Sequence, residues 1–148
     1  MQHRDDVRIV FASLSKNELL ARSFAAAYAS ALDPTIREME DIKTAVSEAV
    51  TNVVVHAYPE SIGQVELVMG QNDQVLQIEV IDHGVGIADI QSARTPMFTT
   101  RGDEERSGLG FTVMEAFMDD VQVESSPGVG TTVRMQKRID QKRNMEDA

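Results

Sequence analysis

The sequence predicts an α/β sandwich, in which two or three helices cover one face of a mixed, mostly antiparallel sheet of roughly five strands. Short runs that alternate apolar and polar residues, such as residues 75–81, are typical of half-buried strands. Two longer stretches repeat apolar residues at helical spacing, and each follows a helix-capping signature. Short polar segments separate paired strand runs and favour hairpins.

The first elements are one strand and one helix. Residues 7–12 (VRIVFA) are apolar and β-branched, which predicts a short strand. Ser15 and Glu18 then have capping-box spacing, in which a serine oxygen and a glutamate cover free N–H groups of a first helical turn. We expect the alanine-rich helix that follows to end near residues 33–34.

A second helix begins after Thr35, which forms another capping-box pair with Glu38. It runs to about residue 56 and ends before Pro59, because proline cannot continue a helix. The apolar residues of this stretch recur on one helical face and are predicted to face the core: Ile42, Ala45, Val46, Ala49, Val50 and Val53.

The second half of the chain reads as two hairpins around a third helix. Residues 64–69 and 74–81 pair across a predicted turn at 70–73. Residues 87–107 form a long polar segment that we expect to be mobile, and the helix follows at 108–118. Residues 121–125 and 131–136 complete the sheet as a final hairpin.

The composition is that of one acidic globular domain. The chain has 148 residues and a net charge of −10, from 24 acidic and 14 basic residues. This balance argues against nucleic acid as a direct partner and favours basic protein surfaces. The sequence contains no cysteine, which excludes disulfides and thiol chemistry. We expect a single domain over residues 1–137 and a polar C-terminal tail over 138–148.

The sequence carries no feature of export or membrane insertion. Residues 1–6 (MQHRDD) lack the apolar region of a signal peptide. No apolar run approaches the roughly 20 residues that a membrane-spanning helix needs. We therefore expect a cytoplasmic protein with no membrane partner.

A carboxylate and two glycines follow the predicted strand at 75–81. Asp82 ends the strand and is followed by Gly84 and Gly86. A carboxylate here suits recognition of a planar base, because it accepts a hydrogen bond from an exocyclic amine while glycines allow close backbone approach. His83 lies between them and is expected to face outward without a catalytic role. A second cluster, residues 107–111 (SGLGF), opens a helical pattern whose N–H groups can receive phosphate.

Three polar residues lie at four-residue intervals on the second helix: Glu48, Asn52 and His56. The neutral oxygen of an asparagine suits Mg²⁺, a hard cation that shares its other ligands with water and phosphate. A glutamate one turn earlier can act as a general base toward a hydroxyl or water. His56 is instead interpreted as a helix C-terminal residue held by local carbonyls or packing.

These segments resemble the GHKL ATPases, and the resemblance covers nearly the whole chain. The run SEAVTN at 47–52 is similar to the N box of that superfamily, DHGVG at 82–86 to the G1 box, and GLG at 108–110 to the G2 box. The small size, the run MFTT at 97–100 and the run ERSGLGF at 105–111 resemble the anti-sigma serine kinases within it. The resemblance implies the GHKL (Bergerat) ATP-binding fold.

The resemblance also implies site roles for ATP/ADP and Mg²⁺. Asp82 would accept from the adenine amino group beside Gly84 and Gly86, Asn52 would hold Mg²⁺, and Glu48 would activate the substrate serine. Thr132 is expected at the floor of the adenine pocket. The residues expected to cover the phosphates lie in one lid region: Thr99, Thr100, Arg101, Arg106, Ser107, Gly108, Leu109 and Gly110.

Two arginine assignments stay open in the sequence. An arginine near the γ-phosphate would stabilise its charge; Arg106 is the first candidate, because it abuts the glycines, and Arg101 the alternative. Arg22 lies on the first helix among alanines and aromatics, where it is either a partner-binding anchor or a surface arginine extended over the helix. The same alanine-rich helix would suit a homodimer contact.

The implied function is a partner switch. The chain would bind and inhibit a sigma factor, the sporulation sigma F, and use Mg-ATP to phosphorylate a serine of an anti-anti-sigma protein. The absence of a preceding helix pair with a phospho-accepting histidine argues against autophosphorylation on histidine. Two alternatives remain: an anti-sigma B kinase of a stress-response system, and a module that binds ATP without phosphotransfer. The intact Glu48 argues against the second, because a pure binder needs no base.

Overall fold

The computed structural model of the protein describes residues 6–88 and 102–140, without the side chains of residues 102–109. Its helices and strands follow one another along the chain as β1 (Val7–Ala12), α1 (Asn17–Ala29), a 3₁₀ turn (Ser30–Leu32), α2 (Ile36–Asn52), a π-helical segment (Val53–Ala57), β2 (Gln64–Asn72), β3 (Val75–Asp82), α3 (Gly102–Phe117), β4 (Asp120–Ser126) and β5 (Gly130–Arg138).

The five described strands form one sheet in the order β1-β2-β3-β5-β4. Each neighbouring pair in it is antiparallel, including β3 and β5, which are joined through α3 and β4. The predicted α/β sandwich is therefore confirmed, and the parallel pairing that a mixed sheet would contain does not occur in the described sheet. Because β5 rather than β4 lies beside β3, the last hairpin joins the sheet through its second strand.

One face of the sheet packs on the helices and contributes to the core. Along β3 the side chains alternate between buried and half-buried positions, as the sequence pattern predicted. The opposite face carries charge, and Arg134 Nε on β5 donates to Glu79 Oε2 on β3 at 2.7 Å. All six apolar positions predicted for the core face of the second helix are buried: Ile42, Ala45, Val46, Ala49, Val50 and Val53.

The two capping boxes predicted from the sequence behave differently. Thr35 forms the predicted box, because its Oγ1 accepts from the Glu38 N–H at 3.1 Å and Glu38 Oε1 accepts from the Thr35 N–H at 2.9 Å. The box predicted at Ser15 does not form, and α1 begins after Lys16 with no side-chain cap. The Glu18 carboxylate instead accepts a hydrogen bond from the Ser47 hydroxyl on α2. A contact between helices has replaced the local cap.

This difference predicts a contrast between two matched substitutions. Replacing Thr35 by alanine removes a formed cap and should lower the free energy of unfolding by about 1 kcal/mol. Replacing Ser15 by alanine removes a hydroxyl that caps nothing and should change it by less than about 0.5 kcal/mol. Urea unfolding followed by circular dichroism measures both. Equal effects of the two substitutions would contradict the observed capping.

The first hairpin is tighter than the sequence predicted. The predicted turn at 70–73 is wrong, because β2 and β3 remain paired through Asn72 and Val75. Asp73 and Gln74 alone form the turn, with φ of 53° and 65°. A two-residue turn with both φ values positive matches the right-handed twist of the flanking strands, and aspartate tolerates this conformation well.

The third helix begins earlier than predicted, at Gly102 rather than Gly108. Acidic residues follow Gly102 directly, and negative charge in a first turn favours a helix N-terminus. The GLG run at 108–110 therefore lies inside α3, where the backbone N–H groups are within the helical ladder. The predicted mobile segment falls largely on residues 89–101, which lie outside the described residues.

Packing continues past the predicted domain boundary at residue 137. Ile139 is buried, and its N–H donates to the Gln74 carbonyl at 2.8 Å. The N–H of Asp140 donates to Glu38 Oε2 at 2.9 Å, which ties this segment to the start of α2. Residues 141–148 lie outside the described residues. Within the described part of the chain, no helix combines the length and apolarity needed to cross a membrane.

Candidate nucleotide site

Helix α2 presents Glu48 and Asn52 one turn apart, and it continues into the π-helical segment Val53–Ala57. Such wide turns occur often at functional sites. Asn52 Nδ2 is buried and has no hydrogen-bond partner among the residues that the structure describes. A buried donor without an acceptor is costly, which makes this amide a candidate for contact with a ligand.

Gly110 on α3 lies directly against the Asn52 amide. A Cβ at this position would lie 3.0 Å from both Nδ2 and Oδ1 of Asn52, closer than side chains normally pack. The absence of a side chain at Gly110 therefore lets α3 pack directly against the Asn52 amide. The structure thus brings together Asn52 and one glycine of the second predicted cluster, although the two residues are 58 positions apart along the chain.

Asp82 ends β3 with its side chain in the interior, 6% exposed. Its Oδ1 accepts from the Gly84 N–H at 2.9 Å. Burial raises the pKa of the Asp82 carboxyl, and the backbone N–H groups of Gly84 and Thr131, with nearby His83, partly offset that increase. The His83 side chain is exposed, in agreement with its predicted outward position. A buried acceptor at the end of a strand is suited to a single directed hydrogen bond from a base.

The raised pKa predicts how Asp82 affects stability with pH. Because the carboxyl titrates higher in the folded than in the unfolded chain, its contribution to stability is greatest below about pH 4, the unfolded value, and is lost as pH rises through the folded pKa. The free energy of unfolding of the wild type should therefore fall relative to Asp82→Asn as pH increases above about 4. Urea unfolding of both proteins across this range measures the difference, and a constant difference would contradict the prediction.

The loop after Asp82 is held against the π-helical segment that continues α2. The Val85 N–H donates to the Ala57 carbonyl at 2.8 Å. A Cβ at Gly84 would lie 2.0 Å from that same carbonyl oxygen, so a side chain at this position is excluded. The first predicted glycine therefore serves close approach between two backbone segments. This close approach ties the turn that holds the Asp82 carboxylate to the continuation of the helix that carries Glu48 and Asn52.

The β4–β5 hairpin holds the other side of the same loop. Gly86 has φ of +77°, and a Cβ there would lie 2.3 Å from the Ser126 carbonyl oxygen. The Ile87 N–H donates to Ser125 Oγ at 2.7 Å, and the Gly128 N–H donates to the Val85 carbonyl at 2.8 Å. The second predicted glycine is thus required for both its φ and its packing.

Thr132 does not reach this site, and Thr131 lies there instead. In the register of β3 and β5, Thr131 is opposite Asp82 and Thr132 is opposite Ile81. Adjacent strand residues face opposite sides of a sheet, so Thr132 lies on the face away from the Asp82 carboxyl. Thr131 is buried, and its Oγ1 lies 2.7 Å from Ser125 Oγ. The expectation for Thr132 is corrected by one residue.

The lid residues are described only in part. Thr99, Thr100 and Arg101 lie outside the described residues. The backbone of α3 includes the remaining predicted positions, namely Arg106, Ser107, Gly108, Leu109 and Gly110, and of these only Gly110 has described surroundings. The expected choice between Arg101 and Arg106 therefore stays a prediction.

Arg22 and Glu48 line one groove between α1 and α2. The groove has a volume of about 550 Å³, and Ser47 lies in its wall beside Glu48. Arg22 is partly exposed, and its guanidinium lies 3.9 Å from Glu18 Oε2. Leu19, also in the groove lining, is 58% exposed. An exposed leucine beside a partly exposed arginine is typical of a surface that contacts another protein.

Sequence reasoning missed Tyr58, Ser125 and Thr131. The Tyr58 hydroxyl accepts from the His83 N–H at 2.8 Å, although the two residues are 25 positions apart. Ser125 reaches Ile87 across 38 positions. Contacts of this kind leave no periodic signal in a single sequence, because only the fold brings the partners together.

The described residues fit an adenine nucleotide with Mg²⁺. Asp82 supplies a buried acceptor beside two glycines that permit close approach, which suits the edge of a base. Asn52 supplies an amide whose nitrogen has no protein partner among the described residues and whose oxygen is a hard donor of the kind that Mg²⁺ prefers. Asn52 ends α2, and the loop after Asp82 packs against the π-helical segment that continues it.

Comparison with known proteins supports this interpretation. Residues 11–137 match the family described as "Histidine kinase-like ATPase domain". The chain is 52% identical to the anti-sigma F factor of Caldanaerobacter subterraneus subsp. tengcongensis over 143 residues, which are 97% of this chain and 100% of that protein. It is 46% identical to the anti-sigma F factor of Bacillus subtilis over 137 residues, 92% of this chain and 94% of that protein.

A solved structure matches the fold at lower identity. The RsbU and RsbW domains of a Mycobacterium tuberculosis protein superpose with a TM-score of 0.67 at 19% identity, over 90% of this chain and 32% of that one. This similarity concerns the fold alone. The family match and the curated relatives together cover nearly all of the chain. The chain therefore belongs to the anti-sigma F factors, which are built on the histidine kinase-like ATPase domain.

Proposed function

We propose that the chain is a Mg²⁺-ATP-dependent protein serine kinase that also sequesters a sigma factor, the sporulation sigma F. It phosphorylates a serine of an anti-anti-sigma partner and acts as a homodimer in the cytoplasm. The histidine kinase-like ATPase domain implies ATP binding, and the name of the relatives implies a sigma factor partner. The acidic charge of −10 is consistent with basic partner surfaces.

One observation carries this proposal. Helix α2 presents Glu48 one turn before the buried amide of Asn52, and the end of the same helix holds the loop after Asp82. In this proposal the general base, the amide on the magnesium side and the carboxylate that recognises adenine would share one rigid support. Rigid placement of reacting groups is the main contribution that a protein makes to phosphoryl transfer.

Each residue has a defined role in the proposed reaction. Asp82 accepts a hydrogen bond from the adenine amino group, which orients the nucleotide. Asn52 would hold Mg²⁺ through its amide oxygen, and the bound metal would supply positive charge to offset that of the phosphates. Glu48 takes the proton of the partner's serine hydroxyl as that oxygen attacks the γ-phosphorus, and ADP leaves. Arg106, or else Arg101, stabilises charge on the transferred group.

The partner reaches Glu48 through the groove between α1 and α2. Glu48 is half-buried in the wall of this groove, and Arg22 lies on the opposite helix. A basic anchor at the rim would orient an incoming protein while the carboxylate meets its serine. This arrangement favours Arg22 as a partner-binding residue over a surface arginine with no contact.

Binding of the phosphates by residues 107–110 would require a change in the conformation of α3. Its described helix includes residues 107–110, whose N–H groups are within the helical ladder. These N–H groups can receive phosphate only where the first turns of α3 unwind. The lid role is therefore proposed for the nucleotide-bound protein, and the residues concerned are Thr99, Thr100, Arg101, Arg106, Ser107, Gly108, Leu109 and Gly110.

The direct test is phosphoryl transfer from γ-labelled ATP. The purified protein is incubated with Mg²⁺ and labelled ATP, alone and with anti-anti-sigma proteins of the sporulation and the stress-response systems. We expect acid-stable label on a serine of the sporulation protein. Label on the stress-response protein alone would identify a sigma B kinase. ATP binding without label on either protein would identify a module that binds ATP without phosphotransfer.

A further inference from the structure

Tyr58 connects three segments around the candidate base site. Its hydroxyl accepts from the His83 N–H at 2.8 Å and donates to the Gln64 carbonyl at 2.7 Å. His83 directly follows Asp82, and Gln64 begins β2. The hydroxyl therefore fixes the backbone next to the Asp82 carboxylate relative to the start of β2.

The Tyr58 ring is itself held in place by Gly63. A Cβ at Gly63 would lie 2.2 Å from Cε1 of the ring, so the ring occupies the space that a side chain would fill. Gly63 is fixed in turn by the buried Ser13, whose N–H donates to the Gly63 carbonyl and whose Oγ accepts from the Gly63 N–H, each at 2.9 Å. This packing restricts the orientation of the Tyr58 ring and so fixes the position of its hydroxyl.

Tyr58 also continues the end of α2. The preceding residue, Ala57, accepts from the Val85 N–H and packs against Gly84. Ala57 and Tyr58, which are neighbours in the chain, thus bind two different backbone N–H groups of the turn after Asp82: Ala57 binds that of Val85, and Tyr58 binds that of His83. A turn held at both His83 and Val85 has little freedom to tilt the Asp82 carboxylate that precedes it.

We propose that Tyr58 is a positioning residue for adenine recognition. Its hydroxyl holds the His83 N–H so that the Asp82 carboxylate faces the exocyclic amine of the base. The inference rests on the nucleotide site proposed above and adds to it a determinant of base specificity. No atom of Tyr58 needs to contact the nucleotide for this role.

The test compares two nucleotides in the wild type and Tyr58→Phe. Calorimetry measures the affinities for Mg-ATP and for purine riboside triphosphate, which lacks the amino group. Because the hydrogen bond from His83 to Tyr58 is exposed to solvent, its loss should weaken ATP binding by roughly 2- to 10-fold. Binding of the purine nucleotide should weaken far less, so that the preference for ATP approaches one. A purely structural role would weaken both nucleotides equally and leave the preference unchanged.

Two further variants keep the outcomes distinct. Gly63→Ala displaces the ring while retaining the hydroxyl, and it should reduce the preference for ATP in the same way. The other tyrosine in the chain, Tyr28, lies on α1, and its replacement by phenylalanine should preserve the preference for ATP. A normal preference in Tyr58→Phe, or in Gly63→Ala, would overturn the role of Tyr58. Failure of the wild type to bind either nucleotide would instead overturn the proposed function itself.

Discussion

Replacing Glu48 by glutamine is expected to reduce phosphorylation of the partner by about 10²- to 10⁴-fold, the usual contribution of a general base. Glutamine preserves the size of the side chain and keeps one acceptor oxygen, but its neutral amide cannot take up the serine proton. ATP affinity should stay within a few-fold of the wild type, because the base-recognising and phosphate-side residues are unchanged. Single-turnover labelling with saturating partner measures the chemical step, and calorimetry measures nucleotide binding.

Glu40 offers a matched control for this experiment. It lies two turns earlier on α2, it lines the same groove, and its side chain is 64% exposed. Glu40→Gln removes the same charge from the same helix and should leave the labelling rate within about twofold, since exposed ion pairs contribute little. Undiminished labelling by Glu48→Gln would show that another group is the base. Equal losses in both variants would indicate that the charge of the groove, rather than proton transfer, controls the rate.

The local elements were the part of this fold that the sequence could predict. The core face of α2 follows from apolar spacing, because a regular helix converts spacing directly into direction. The cap at Thr35 formed as predicted and the one at Ser15 did not, although both have the same spacing. The difference arises from Ser47, which binds Glu18 from another helix. Local patterns predict a cap only where no distant group competes for the side chain.

The structure brings several of the predicted site residues close together, and their roles in the site stay predictions. Gly110 packs against Asn52, and Gly84 and Gly86 lie in the loop that follows Asp82. Each of these glycines stands where a side chain would contact a neighbouring group too closely. The choice between Thr131 and Thr132 depends on strand register, which a one-residue shift reverses. Tyr58 contributes through a contact with His83 that spacing along the chain does not encode.

Replacing Gly84 by alanine should have the largest effect on the site as a whole. Its Cβ would lie 2.0 Å from the Ala57 oxygen and 2.6 Å from the Ala57 carbonyl carbon, which are backbone atoms that cannot rotate away. To relieve this clash, the loop must move away from Ala57. That movement breaks the hydrogen bond from Val85 to Ala57 and disturbs the one from Gly84 to Asp82. We expect a loss of roughly 2–4 kcal/mol of stability, from overpacking and from buried groups left unpaired.

ATP binding should be lost together with that stability, because the same loop orients the carboxylate and is anchored to the helix of Asn52. Gly128→Ala is the matched control: this glycine lies in the adjoining hairpin, and a Cβ there meets no atom within 4 Å. Its φ of +77° alone should cost about 1–2 kcal/mol. Thermal unfolding with and without Mg-ATP separates the two cases: nucleotide should raise the midpoint of Gly128→Ala but not that of Gly84→Ala. Equal stabilisation of both by nucleotide would mean that the contact between the loop and α2 does not position Asp82.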